Sequence, residues 1–547
     1  MLKVVPLGGL GEVGLNTLVL EHGGERLLVD CGLMFPRGDQ LGVDIVLPDF
    51  TWLLDDPAAL KGVVLTHAHE DHLGALTWLI RELRVPVYGT AFTLALARHR
   101  LEEAGLDADL RLMAPREPFT ISEQFTVEPL RVTHSVPDAV GLAVTTPSAR
   151  LIHSGDFKLD GAPIDGQLTD LERLGELGEE GVDVLLSDST NSEVPGWSGS
   201  ERLVADTFKR YFAQAKGRVV IAMFGSHLHR VQHALELARS VGRKVALLGR
   251  SLQRNVKLAQ QAGIFDSWEG TLVPYEAASM IPSRNLVLLC TGAQAEPRSA
   301  LMGLLNPEPG PLRIEPEDLV ILSARTIPGN EPNVTHVINR LLARRCQVVY
   351  SSIDPGVHVS GHASQDEQKK LIDTVRPRHF VPIHGELRHL HHHLQVARNA
   401  GLVDEKLFLM TDGDVVGFDH ERATTFGRVP AGKRLMRREG LAAVSDQVIA
   451  DRKWIAETGL VIAVVAIQMG SGKVVAQPTL NGQGLQADEL AALPLATESA
   501  VRAVRELSDA MRADDGRVRE ELVRGIRRVF KQLLGTRPLI VPIVVRV

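Results

Sequence analysis

Between Leu65 and His72 the chain reads L-T-H-A-H-E-D-H, which places His67, His69, Asp71 and His72 within six residues. Imidazoles and a carboxylate packed this closely desolvate or repel one another unless a cation lies among them. Histidines two apart in a loop can converge on one ion, and the aspartate and histidine just beyond can face a second. The chemistry this pattern offers is metal-assisted hydrolysis; the competing reading is a solvated polar loop. His134 follows the apolar run Val127 to Val132, and Asp156 follows Leu151-Ile152-His153-Ser154-Gly155. Taken singly, each reads as structural, and each gains meaning only by completing the first cluster. Asp188 ends another apolar run, 184–188. Far downstream come H-V-S-G-H-A-S, with Ser360, Gly361 and His362, and H-F-V-P-I-H-G-E, in which His384 follows an apolar run as His67 and His134 do. His389, His391, His392 and His393 point in several directions on a helix and read as mostly solvated.

These residues need strand ends to hold them. Apolar runs at 2–7, 61–65, 85–88, 125–132, 141–145 and 150–153 predict strands, and helical patterns occupy about 73–83 and 91–104. Gly9 to Gly14 spells G-x-G-x-x-G, a dinucleotide fingerprint only where a helix follows. Here 16–20 and 26–30 flank Gly23-Gly24, so the continuation predicts a β-hairpin instead. From 201 to 350, helices (201–215, 228–241, 251–263) alternate with short buried strands (218–223, 244–248, 285–290, 319–323, 346–350), the rhythm of parallel βα units. Polar clusters follow several of these strands, including Ser226-His227, 291–294 and 328–331, where parallel sheets bind ligands. The return of strand-end histidines at 358–386 implies that the middle segment is an insertion. A basic stretch at 422–438 reads as linker. Beyond it, strands at 460–468, 473–477 and 539–547 with helices near 487–511 and 517–534 form a small α/β unit. The second of these helices carries Arg517, Arg519, Arg524, Arg527, Arg528 and Lys531, by default a solvated face, with RNA contact as the alternative. Gly470-Ser471-Gly472-Lys473 lacks the spacing of a phosphate loop.

The 547 residues exceed one ordinary core. Apolar residues make up 44% and charged residues 23%, the balance of a soluble globular protein. A net charge of -7 leaves any basic surface to be local. Cys31, Cys290 and Cys346 lie far apart in apolar runs and read as buried reduced thiols, which favours the cytoplasm. The start of the chain lacks a signal-peptide pattern, and no apolar run reaches the roughly 18 to 20 residues that span a bilayer, so no membrane partner is expected.

The motif H-A-H-E-D-H, with Asp30 before it and His134 and Asp156 after it, resembles the metallo-β-lactamase superfamily. Asp188, S-G-H-A-S around His362 and P-I-H-G-E around His384 resemble its nucleic-acid-processing β-CASP branch. T-G-A-Q-A-E-P at 291–297, P-G-N-E at 328–331 and the C-terminal unit narrow the resemblance to the ribonuclease J family over essentially the whole chain. Ala293 and Ala295 depart from that family's T-G-S-Q-G-E-P, a departure that bears on loop geometry and not on metal ligation. The resemblance implies an αββα sandwich at 1–190 and 354–421, an inserted parallel-sheet β-CASP domain at 191–353, a linker at 422–446 and an α/β C-terminal domain at 447–547. It implies His67, His69 and His134 on one divalent ion, Asp71, His72 and His384 on the other, and Asp156 bridging. Asp30 would hold a ligand histidine from behind, zinc is the expected ion, and manganese is the alternative. It further implies that His362, oriented by Asp188, serves the leaving group, and that Ser360, Gly361, His362, Ser226 and His227 grip phosphates. The function implied is a 5′-to-3′ exoribonuclease favouring 5′-monophosphorylated RNA, able to cut internally, acting in rRNA processing and mRNA decay. A homodimer through the C-terminal domain and an association with RNA-degradation machinery come with it. The alternative function is a hydrolase of another substrate class, either a DNA nuclease or a small-ester or thioester hydrolase.

Overall fold

In the computed structural model, which describes residues 1–306, 312–327, 330–437 and 442–547, the chain forms two compact units. Pro328 and Gly329 of the P-G-N-E motif and Arg438 at the end of the basic stretch 422–438 lie outside the described residues. The first unit comprises Met1–Met34 and Val46–Arg434, and the second Phe35–Ile45 and Leu435–Val547. Among the described residues no helix is long and apolar enough to cross a membrane.

Alternating and near-continuous apolar runs build two sheets in the first unit. An eight-stranded sheet contains Leu2–Gly8, Thr17–His22, Glu25–Val29 and Leu60–Val64 as neighbours, and a six-stranded sheet runs from Phe119–Ser122 to His379–Ile383. Their inner faces meet in one core, with Val4, Leu20, Leu27 and Val64 from the first sheet and Val127, Leu142, Leu151, Leu186 and Val381 from the second. This is the expected sandwich. Thr17–His22 and Glu25–Val29 pair antiparallel, so the glycine pattern before them opens a hairpin and no dinucleotide helix follows.

In the six-stranded sheet, Phe125–Arg131, Ala149–His153, Val184–Asp188 and His379–Ile383 all run in one direction. Their carboxyl ends therefore share one edge. Strand His379–Ile383 lies parallel beside Val184–Asp188, so the intervening residues leave the sheet and re-enter it. They build a five-stranded parallel sheet in the order Lys244–Leu248, Leu286–Cys290, Val219–Ala222, Leu319–Leu322, Gln347–Tyr350, with its own core. All three cysteines are buried and free.

Two expectations are corrected here. Part of the basic stretch read as linker is a strand, Ala423–Arg428, paired antiparallel with Asp414–Phe418 at the edge of the eight-stranded sheet. Its Thr-Thr-Phe core suits a pleated surface, a propensity outweighed in the reading by the surrounding basic, Gly and Pro residues. The helix 73–83 is also interrupted: Glu70–Leu73 forms one turn and Leu76–Glu82 another short helix.

The second unit has a three-stranded sheet, Val474–Gln483, Leu460–Ile467 and Leu539–Arg546, with Ala487–Arg505 and Asp515–Leu533 packed over one face. An unforeseen helix, Asp446–Thr458, starts where the Ser445 hydroxyl accepts from the Val448 N–H.

Candidate metal centre

His67 lies three residues beyond the end of Leu60–Val64, His69 stands at the N-cap of the single helical turn Glu70–Leu73, and Asp71 and His72 lie on that turn. His134, Asp156 and His384 follow three of the co-directional strands, and Asp188 ends the fourth. The fold thus brings every expected ligand to one edge. His67, His69, His134 and Asp156 form one group of donor atoms, and Asp71, His72, Asp156 and His384 a second; within each group the donors lie within 4.8 Å of one another. Asp156 belongs to both.

Hydrogen bonds behind the rings decide which nitrogens face inward. His134 Nδ1 lies 2.8 Å from the Gly361 carbonyl, which only accepts, so Nδ1 carries the proton and Nε2 presents a lone pair. Thr66 Oγ1 donates to Asp30 Oδ2 at 2.8 Å and so accepts from His67 Nδ1 at 3.0 Å, which leaves His67 Nε2 bare. Both lone pairs point at His69 Nδ1, 3.1 Å and 3.2 Å away. Three acceptors sharing at most one proton are unfavourable in a buried place, and a cation resolves the conflict. In the second group, His72 Nδ1 donates to Asp30 Oδ2 at 2.7 Å, so its Nε2 faces Asp156 Oδ2 at 3.3 Å and Asp71 Oδ2 at 3.6 Å. His384 Nε2, buried and without a hydrogen-bond partner among the described residues, lies 3.5 Å from Asp71 Oδ2, while Nδ1 meets Asp156 Oδ1 at 2.7 Å. An orphaned ring nitrogen beside a carboxylate fits a metal ligand. Asp30 stands behind His72.

Charge follows the same division. Burial, then the neighbouring His72, holds His67 well below the usual imidazole range, and burial brings His69 down to about 4. Burial, then His69, holds His134 well below the usual imidazole range. Burial alone would raise Asp156, yet His384, His72 and His67 hold it well below the usual carboxylate range. Burial opposes charge on His384 too, but Asp156 and Asp71 raise it to about 10.

Beside the two groups, His362 Nδ1 lies 2.8 Å from Asp188 Oδ2, and Asp188 Oδ1 accepts from the Thr190 N–H and hydroxyl at 2.9 Å and 2.7 Å. Burial disfavours charge on His362, but the Asp188 carboxylate outweighs it and the net shift is upward. Only His362 Nε2 remains free to meet a ligand.

Two of the expected phosphate-gripping residues, Ser360 and Gly361, already make contacts within the protein. Ser360 Oγ accepts from Asn191 Nδ2 at 2.7 Å and from the His362 N–H at 3.1 Å, while Gly361 gives its carbonyl to His134. A Cβ on Gly361 would lie 3.0 Å from His134 Cε1 and from Ser135 Cβ, so any side chain there would press His134 or Ser135 back by a few tenths of an ångström. His227 is buried with its ring over His358 at 6.3 Å, and Ser226 beside it is half-buried. The histidine-rich helix, read as solvated, is half buried: His391 and His392 are exposed, whereas His393 bonds Ser189 Oγ at 3.0 Å and His389 Nδ1 accepts from the Glu386 N–H. Helical spacing turns two of the four toward the sheet.

Sequence reasoning missed Asn16, whose amide reaches His72 Nε2 at 2.9 Å and Asp71 Oδ2 at 3.3 Å, and Thr66, which links Asp30 to His67. It also missed Glu367, which accepts from Leu159, Ser198 and Ser364 N–H groups and so ties three loops together. Gly32 is one available signal: a Cβ there would sit 1.7 Å from the Asp71 carbonyl, marking the close approach that seats the helical turn.

Comparison with known sequences places the chain among related proteins over most of its length. Residues 10–193 match the metallo-beta-lactamase superfamily, 216–341 the Ribonuclease J beta-CASP domain, 347–406 the Zn-dependent metallo-hydrolase RNA specificity domain, and 447–547 the Ribonuclease J C-terminal domain. The chain is 41% identical over 487 residues to Ribonuclease J of Synechocystis sp., covering 88% of this chain and 76% of that one. It is 35% identical over 558 residues to Ribonuclease J of Thermus thermophilus, covering 99% and 95%. A crystal structure of a protein of unknown function from Enterococcus faecalis shares the fold, with TM-score 0.52 and 15% identity over 76% of this chain and 99% of that one.

Proposed function

The chain belongs to the ribonuclease J family, a metal-dependent ribonuclease family, and on that premise we propose that it is a 5′-to-3′ exoribonuclease that prefers 5′-monophosphorylated RNA and can also cut internally. The observation that carries the reading is a pair of ligand groups sharing Asp156, with the His362–Asp188 pair set against them. His67, His69 and His134 would hold one divalent ion and Asp71, His72 and His384 the other, with Asp156 belonging to both ligand groups. When bound, the two cations supply Lewis acidity toward a phosphate and a nucleophile active at neutral pH. The protein's own share is placement. Asp30, Thr66 and Gly361 fix the ligand tautomers, and Asn16 restrains Asp71 and His72. Asp188 holds His362 by Nδ1, which leaves Nε2 to donate a proton to the departing oxygen. Ser226, His227, Ser360 and Gly361 line the approach of the phosphate, where backbone and hydroxyl groups position without reading sequence.

Zinc is the resident ion we propose, because imidazole-rich sites with carboxylates suit it; manganese suits the carboxylates equally. Metal analysis of the purified chain, with RNA cleavage after chelation and add-back of each ion, tests this. End-labelled RNA tests polarity: mononucleotides released from a 5′-monophosphorylated end support the reading, and equal attack on triphosphorylated ends overturns the preference. We also propose a homodimer through the C-terminal unit. Val541, Ile543 and Val545, exposed at 38%, 41% and 40%, give its terminal strand an apolar row that a second copy would cover. Light scattering of the full chain measures it.

A further inference from the structure

We infer that the second unit carries an RNA-binding groove of its own, formed by the outer face of helix Asp515–Leu533; the inference rests on the reading of RNA as substrate. The inner face of this helix is consumed by packing, with Val518, Leu522, Ile526 and Phe530 buried in the unit's core. The outer face lines an open groove of about 830 Å³ that holds Arg519, Arg524, Arg527, Arg528 and Lys531 against one carboxylate, Glu520. Glu520 is already met by Arg517 at 3.5 Å, and Arg524 by Glu521 at 2.6 Å. Arg519, Arg527, Arg528 and Lys531 have no ion-pair partner among the described residues.

Two points give the groove a ligand of definite chemistry. Arg524 and Arg528, and Arg527 and Lys531, are four residues apart on one helix, a like-charge spacing that weakens a helix unless something neutralises it. Exposed Arg116, by contrast, meets both Asp170 and Glu172. With a net charge of -7 over the chain, a surplus of cations on one face is a local arrangement and not a consequence of composition. The row Arg519, Val523, Arg527, Lys531 advances about 6 Å per step along about 18 Å of helix. A continuous polyanion fits such a row better than a single phosphate does. Val523 and Pro542 give the groove an apolar floor, and planar guanidinium groups can stack on bases splayed from a single strand. Phosphate contacts of this kind hold RNA without reading its sequence.

The test uses the full, metal-loaded chain and a nuclease-resistant single-stranded RNA of about 30 nucleotides, comparing wild type with the triple variant Arg519→Glu, Arg527→Glu, Lys531→Glu. All three side chains are exposed, and circular dichroism verifies that the variant is folded. The expected result is a dissociation constant at least tenfold higher, with the slope of log affinity against log salt reduced by about 2, as three lost single-strand phosphate contacts require. An unchanged dissociation constant and slope overturn the proposal. A changed oligomeric state with unchanged RNA affinity overturns it as well, making the groove an interface between copies. An acidic peptide that binds the groove where RNA does not would likewise overturn it. Cleavage of the corresponding unmodified RNA by the wild-type chain is scored separately, so failure of the ribonuclease reading is not mistaken for failure of the groove.

Discussion

At the scale of residues, the site depends on which nitrogen each ring turns inward. His362 illustrates this, since Asp188 occupies Nδ1 at 2.8 Å and only Nε2 can serve a substrate. His362→Ala is expected to keep both metal ions while turnover falls about 100- to 10,000-fold, the usual contribution of a positioned acid; metal analysis beside cleavage rates checks it, and unchanged turnover removes the role. Asp412 gives a pH prediction away from the metals. Burial, then the nearby Glu12, pushes its carboxyl up to about 7, while Oδ1 accepts from the Leu10 N–H at 3.2 Å. A raised folded-state value means that folding favours the protonated form. Its contribution is therefore full below the ordinary 3.8 and is lost as pH rises through about 7. Asp412→Asn keeps the acceptor and removes the charge, so its melting temperature should exceed that of wild type at pH 8 and the difference should shrink toward pH 4.

At the scale of elements, loops at strand ends carry strain and contacts that composition does not display. Ala295, one of the two departures from the family pattern, adopts φ 62° in the loop after strand Leu286–Cys290, where glycine is at ease. Ala295→Gly should stabilise the protein by about 1 kcal/mol, read as a rise in urea midpoint, because the left-handed conformation costs a Cβ roughly that much. A lower midpoint would show that chain entropy outweighs the strain. The loop is otherwise well tied: Gln294 donates to the Arg325 carbonyl at 2.8 Å and accepts from the Ile327 N–H at 2.9 Å.

At the scale of the whole molecule, a buried polar network joins the inserted segment to the sandwich within the first unit. Arg230, fully buried, donates to Glu201, to the Ser323 carbonyl and to His358 Nδ1, and Asp160, four residues beyond Asp156, accepts from the Glu201 N–H. The loop bearing His362 is thereby anchored from both sides. Arg230→Met leaves Glu201 buried and unpaired, so stability should fall by about 3–5 kcal/mol, whereas Arg230→Met with Glu201→Met should recover most of the loss. Denaturant midpoints of the two variants decide the matter; a double variant no more stable than the single one would rule out the unpaired charge as the cause.

The existence of the metal cluster, the alternation of strands and helices, and the insertion were legible in the chain itself. Ligands crowded in one loop, apolar period and recurrent strand-end histidines are local patterns, and local patterns survive in one dimension. The strand at Ala423–Arg428 and the buried faces of His389 and His393 were not legible, because a neighbouring sheet decides both and composition does not. Only the tertiary structure made Asp156 common to both ligand groups, paired Asp30 with His72, and set Gly361 against His134. The last two contacts join residues 42 and 227 positions apart, and no spacing along the chain encodes which ring nitrogen meets which oxygen.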